Sequence, residues 1–168
     1  MTTTNFLTLE YLKEVAPITQ ALANQTDLLL PFIEVGESMH VFDLLGVALK
    51  DDLISKIESQ NITGNTQTLI ENYIIPCSAW WCYFEASIFI IYRSESKGIT
   101  KKFSDNSQAL DRQEFANYRQ SILDKATFYS NRLVKYLNDN QDKFDLYRSS
   151  SANQINRSTS FGGGIFLG

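Results

Sequence analysis

One histidine, His40, is all the imidazole this chain has. That scarcity removes most catalytic and metal chemistry at once. Glu37 and His40 stand three apart, the spacing of a di-iron carboxylate ligand pair on one helix, but such a site needs the pair twice. A Ser–His–Asp or Cys–His site would have to use the same residue, and no nucleophile elbow surrounds any serine. Cysteine is almost as rare, with only Cys77 and Cys82, so there is no disulfide framework. On one helix those two would point about 140° apart, at about 100° per residue. They read as buried apolar thiols. Positive charge is also short: 15 Lys and Arg against 19 Asp and Glu leave a net charge of -4. A chain built to grip nucleic acid would be basic. Residues 1–6 lack a basic stretch followed by an apolar run, so they do not read as a signal peptide.

One long apolar run is present. Residues 74–92 are nearly all apolar and long enough to span a bilayer. Glu85 lies inside the run, Pro76 lies near its start, and no basic cluster precedes it. A central helix surrounded by other helices fits better, apolar all round because it is buried all round. Aromatics are plentiful, with eleven Phe, eight Tyr and two Trp. They supply the bulk of one hydrophobic core.

Hydrophobic spacing predicts about five helices. The first starts at Thr8 as N-cap, with Leu9, Leu12 and Val15 inward, and stops at Pro17. The second starts at Thr26 or Asp27, places Leu29, Phe32, Ile33, Gly36, Met39 and Asp43 at helical spacing, and ends at Gly46. Leu49, Leu53, Ile54 and Ile57 mark a third, and residues 61–65 read as a loop. The fourth runs from about Thr68 to about Tyr92, with Leu69, Tyr73, Trp80, Trp81, Phe84 and Ile88 in the core and Pro76 as a kink. A polar stretch follows, with a short strand expected over residues 99–103. The fifth opens on a capping-box-like Asp111-Arg-Gln-Glu114 and carries a stripe of Phe115, Tyr118, Ile122, Tyr129, Leu133 and Tyr136. The expected fold is therefore all-α. It is a bundle of about five helices over residues 1–147, with a possible strand or hairpin near residues 99–103 and an extended C-terminal arm over residues 148–168.

Within this frame few residues point to chemistry. Glu85 needs a partner if buried, and Arg119, Lys125 or Arg132 on the fifth helix are the candidates. Gly162, Gly163 and Gly164 are no phosphate loop, because no Gly-Lys-Ser/Thr follows them. The sequence therefore carries no expected catalytic residue, metal ligand or cofactor. The most informative segment is the last. Residues 149–160 are rich in Ser and Asn, and the chain then runs Phe161-Gly-Gly-Gly-Ile-Phe-Leu-Gly168. One reading is a plain disordered terminus. The other is a docking arm whose partner-binding residues are Phe161, Gly162, Gly163, Gly164, Ile165, Phe166 and Leu167. In the arm, glycine allows close backbone approach and the apolar side chains fill pockets, strand addition being one mode.

Several motifs together resemble a known family. Asp-Leu-Leu-Leu-Pro-Phe-Ile at 27–33, followed by Leu-Leu-Gly-Val-Ala-Leu-Lys-Asp-Asp-Leu at 44–53, is similar to the helix–Gly–helix unit of phage head-to-tail connectors. Phe6-Leu-Thr-Leu-Glu-Tyr-Leu, Tyr73-Ile-Ile-Pro-Cys-Ser-Ala-Trp-Trp, and Lys97-Gly-Ile with Ser104-Asp-Asn-Ser resemble ring proteins of crAss-like phages. The resemblance spans residues 5–147. It implies a structural virion protein, made in the host bacterial cytoplasm and placed at the head–tail junction. There it would form an adaptor ring, expected to be a dodecamer, beneath the portal. Its expected partners are itself, the portal protein, other tail or ring proteins, and double-stranded DNA passing without sequence-specific contact. No membrane is among them. An acidic or neutral wall suits a channel through which phosphates must slide. The alternative from another class is a non-viral helical protein-binding module.

The arm gives a direct test. An extended spacer of about 12 residues reaches about 40 Å, enough to cross to a neighbouring subunit. Truncation after Arg148 should leave circular dichroism and melting of the helical part nearly unchanged while abolishing assembly. Normal entry of the truncated chain into particles would refute the arm.

Overall fold

A computed structural model describes residues 5–15, 26–95, 98–101 and 112–147. The C-terminal arm, Pro17, Asp111 of the capping box and residues 102–103 of the expected strand lie outside these. The described part is an all-α bundle with one small hairpin. Helix α1 is Leu9–Val15. The Thr8 hydroxyl accepts from the Tyr11 amide at 3.3 Å, the N-cap bond its side chain was expected to make. Helix α2, Thr26–Gly36, passes through a π-helical turn, Glu37–Val41, into α3, Phe42–Leu45. Gly46 then takes φ 73°, which a side chain would resist, and breaks the rod before α4, Val47–Glu58.

The next rod starts earlier than the loop chemistry suggested. Helix α5 covers Gly64–Leu69, followed by a second π-turn, Ile70–Ile74, and α6, Ile75–Ile91. Pro76 has no N–H to offer the Asn72 carbonyl, and its ring would crowd that carbonyl in a regular turn. The widened turn just before it is where the helix absorbs the misfit. Strands β1, Tyr92–Glu95, and β2, Gly98–Lys101, pair antiparallel with Tyr92 opposite Lys101. The hairpin expected near residues 99–103 thus exists, one residue earlier. Helix α7, Arg112–Asp139, is 28 residues long and leads to a short 3-10 turn, Gln141–Lys143. Phe144 and Tyr147 beyond it are buried.

Helix α6 is the axle. Its strongest packing is against α2 on one side and α7 on the other, with α1 also against it. Cys77, Ala79, Trp80, Trp81, Cys82, Tyr83 and Ala86 are all buried, so both sides of the helix are covered, as the continuous apolar run implied. Among the described residues no helix is long and apolar enough to cross a membrane.

Two inward assignments fail. Ile88, expected in the core, is 40% exposed near the C-terminal end of α6. Met39 and Asp43 were expected to continue the face of Leu29 and Ile33, yet both are exposed. The π-turn is the cause: it changes the helical phase, so the buried line continues through Glu37, Val41 and Leu45. On α7 the buried line is Ile122, Ala126, Leu133 and Leu137, while Tyr129 and Tyr136 flank it and Tyr118 stays 43% exposed.

The α2–α6 crossing is unusually close. A Cβ on Gly36 would lie 2.8 Å from the Cys82 amide nitrogen and 3.0 Å from its Cα. Both are backbone atoms of a packed helix and cannot turn aside. Gly36→Ala gains about 1 kcal/mol of helix propensity but forces the helices apart, an overpacking cost of about 1–3 kcal/mol or more. Denaturant melting should therefore show a net loss of up to about 2 kcal/mol. A stabilised variant would mean that the crossing is looser than described.

Candidate functional site

The polar groups of the core gather where the first π-turn meets α6. Glu37 is fully buried. Its two oxygens accept from the backbone amides of Phe6, at 3.1 Å, and Leu7, at 2.8 Å. These bonds fasten the segment before α1 to a helix some thirty residues later. One turn on, the His40 ring lies flat on the Trp81 indole, with centroids 3.7 Å apart and planes at 7°. His40 Nε2 meets Glu85 Oε1 at 2.8 Å. On the other side of α6, the Trp81 indole N–H donates to Ser130 Oγ at 2.8 Å, and Cys77 Sγ lies 3.5 Å from the same oxygen. A chain of contacts thus runs from α2 through α6 to α7.

The electrostatics follow burial. Desolvation pushes the Glu37 carboxyl up from 4.5 to about 7, against the lowering effect of the Leu7 and Phe6 amides and the Ser78 side chain. Burial likewise pushes both thiols, Cys77 and Cys82, up to about 12. Neither forms a thiolate at neutral pH, so neither is a ready nucleophile for His40 to activate.

Glu85 does not pair with Arg119, Lys125 or Arg132. Its partner is His40, and the three cations sit over aromatic rings of the second π-turn and α6 instead. Arg119 lies 4.1 Å from the Phe84 centroid, Lys125 5.3 Å from Trp80 and Arg132 4.8 Å from Tyr73. The reason is directional. Phe84 and Trp80 on α6 and Tyr73 in the π-turn before it share the α7-facing side of the rod, while Glu85 is one residue, about 100°, further round toward α2. Glu37 and His40 do not converge on a common point as ligands: one reaches the N-terminal segment, the other Glu85. No group of three or more His, Cys, Asp or Glu suited to a metal occurs among the described residues. The seven arm residues, Phe161 to Leu167, lie outside the described part.

Glu37 is the residue that sequence reasoning misplaced. It follows Ile33 by four and precedes Val41 by four, both buried, so an acid stood on the apolar face in plain view. Its spacing from His40 matches a ligand pair that the single histidine rules out, while its place on the apolar face points to a buried tether.

A family model matches residues 41–157, more than half of the chain. The protein is a member of DUF6712, a family of unknown function. No curated protein and no solved structure matches it. The DUF6712 match begins at the end of the first π-turn. It takes in Trp81, Glu85 and Ser130, but leaves Glu37 and His40 outside.

Glu37 makes stability depend on pH in a stated direction. Its folded value lies above its unfolded one, so its contribution is full below about 4.5 and is lost as pH rises through about 7. The loss is on the order of 3 kcal/mol at most. Glu37→Gln cannot titrate, and its amide nitrogen faces a backbone N–H where an acceptor is needed. The variant should be less stable overall but lack this downward slope between pH 5 and 8. Parallel stability–pH curves for the two proteins would show that Glu37 stays ionised throughout.

Proposed function

We propose that this DUF6712 member is a structural, non-enzymatic ring subunit of a tailed phage, an adaptor between portal and tail that lines the DNA channel at the head–tail junction of the virion. The sequence motifs quoted above are one support. The observation that carries the reading is the fate of the acid–base side chains in the core. Glu37, His40 and Glu85 are each engaged in fastening one chain segment to another. Such a core favours a stiff building block over a reaction centre. Large apolar side chains such as Phe128 and Val47 meanwhile stand outward, at 61% and 74% exposure. A subunit that buries them against neighbours accounts for both features. The arm from about Ser149, anchored by Phe161, Ile165, Phe166 and Leu167, belongs to the same proposal as a contact to the portal, a neighbouring subunit or another ring.

The purified chain should be a helical monomer or small oligomer that closes into a ring, expected to be dodecameric, when portal is supplied. Electron microscopy of the chain alone, of the chain with its portal and of virions tests this. Absence of a ring at the junction would end the proposal.

A further inference from the structure

The Glu37 carboxyl and the segment from residue 5 through α1 depend on each other. The segment is anchored by Phe6, Leu7 and Leu12, all buried, with the Phe6 ring edge-on to Phe42 at 6.1 Å. Helix α1 has seven residues, too few to be stable alone, and packs on α6 and α2. The Phe6 and Leu7 amides reach the two oxygens of the one carboxyl, so the segment is also the cover that keeps water from Glu37. On the other side the α2–α6 crossing at Gly36 is closed backbone to backbone. Water can therefore reach Glu37 only where the segment lifts.

Both protonation states of the carboxyl are provided for. When ionised it has the two amides but no counter-ion: among the described residues no ion pair includes Glu37. When neutral it has Ser78 Oγ beside it on α6, buried and with no other hydrogen bond, to accept from its hydroxyl. A buried carboxylate without a counter-ion favours any movement that admits water.

We propose that residues 5–15 form a latch that lifts as one unit when Glu37 loses its proton and closes when Glu37 regains it, while the rods α2, α6 and α7 stay folded. The proton goes to the entering water, and lifting bares the apolar floor under Phe6, Leu7 and Leu12. The latch is independent of the ring reading. It also differs from a general loss of stability, because local opening needs no global unfolding. The other titratable groups near Glu37 leave one rival. Cys77 and Cys82 on α6 stay protonated at neutral pH. On α1, Glu10, Lys13 and Glu14 are exposed and Tyr11 is half-buried. Glu85 is bound to His40. His40 is the rival, since histidine changes charge between pH 5 and 8.

Amide hydrogen exchange of the full chain, followed by NMR from pH 5 to 8 in low denaturant, tests the latch. After correction for intrinsic rates, the Phe6, Leu7 and Leu12 amides should be at least about 100-fold less protected than those of Ile122 to Leu137 in α7. Their exchange should also depend far less on denaturant. Between pH 5 and 8 their opening should rise on the order of 50-fold, as expected for a carboxyl near 7 when covered and 4.5 when hydrated. Glu37→Gln should remove this rise, whatever its effect on the level, and His40→Gln should keep it. Equal protection and equal denaturant slopes in the segment and in α7 would mean that the segment opens only with the whole molecule, which overturns the latch. So would opening that is independent of pH in the unaltered chain. A rise that survives Glu37→Gln, or one that disappears in His40→Gln, would hand the switch to His40. If Glu37→Gln fails to fold, the unaltered chain and His40→Gln still decide.

Discussion

Helix α2 can lie against α6 at this distance only because position 36 carries no side chain. The Gly36 backbone sits on the backbone of Trp81 and Cys82, leaving no room for even a methyl group. Everything polar in the core follows from that contact. It sets the next residue, Glu37, deep enough to lose water and near enough to the Phe6 and Leu7 amides to replace it. It also sets His40 flat on Trp81. Trp81 in turn reaches Ser130 across the axle. A wider crossing would leave Glu37 hydrated, His40 off the indole and the segment before α1 unattached.

The three cations of α7 show how the fold handles charge next to an apolar helix. An ion pair with Glu85 would have required two charged heads to be desolvated together, a cost that attraction often fails to recover. Lys125 and Arg132 keep their heads near water while covering aromatic surface, whereas Arg119 lies deeper over Phe84. Each contact contributes only about 0.5–1 kcal/mol where exposed. Together they line α7 from Phe84 on α6 down to Tyr73 in the second π-turn.

Much of this architecture was legible in the sequence. The five helical rods, the Thr8 cap, the Gly46 break and the buried axle all follow from local chemistry and periodicity. What could not be read was phase. A π-turn inserts one residue with no sequence signature of its own, so Met39 and Asp43 fit the spacing of the buried face and prove outward, while Glu37 takes their place on the buried line. The partner of Glu85 was equally hidden. Periodicity places a residue on a face, but which neighbour stands opposite depends on the crossing at Gly36. The α7 stripe, by contrast, needed no neighbour to be read: Ile122 and Leu133 are buried, Tyr129 stacks with Trp80 and Tyr136 with Tyr73.

The first π-turn can also be viewed as a surplus residue in an older, regular helix. Deleting one position between Glu37 and Val41 would restore the ordinary winding and rotate everything beyond it by about 100°. Asp43 would then leave its exposed position, and the line through Val41 and Leu45 would rotate out of the core. One inserted amino acid therefore separates a molecule with an outward acidic face from one without it. Length variation at this single turn would change which side chains the rod turns outward without altering the sequence of any other segment.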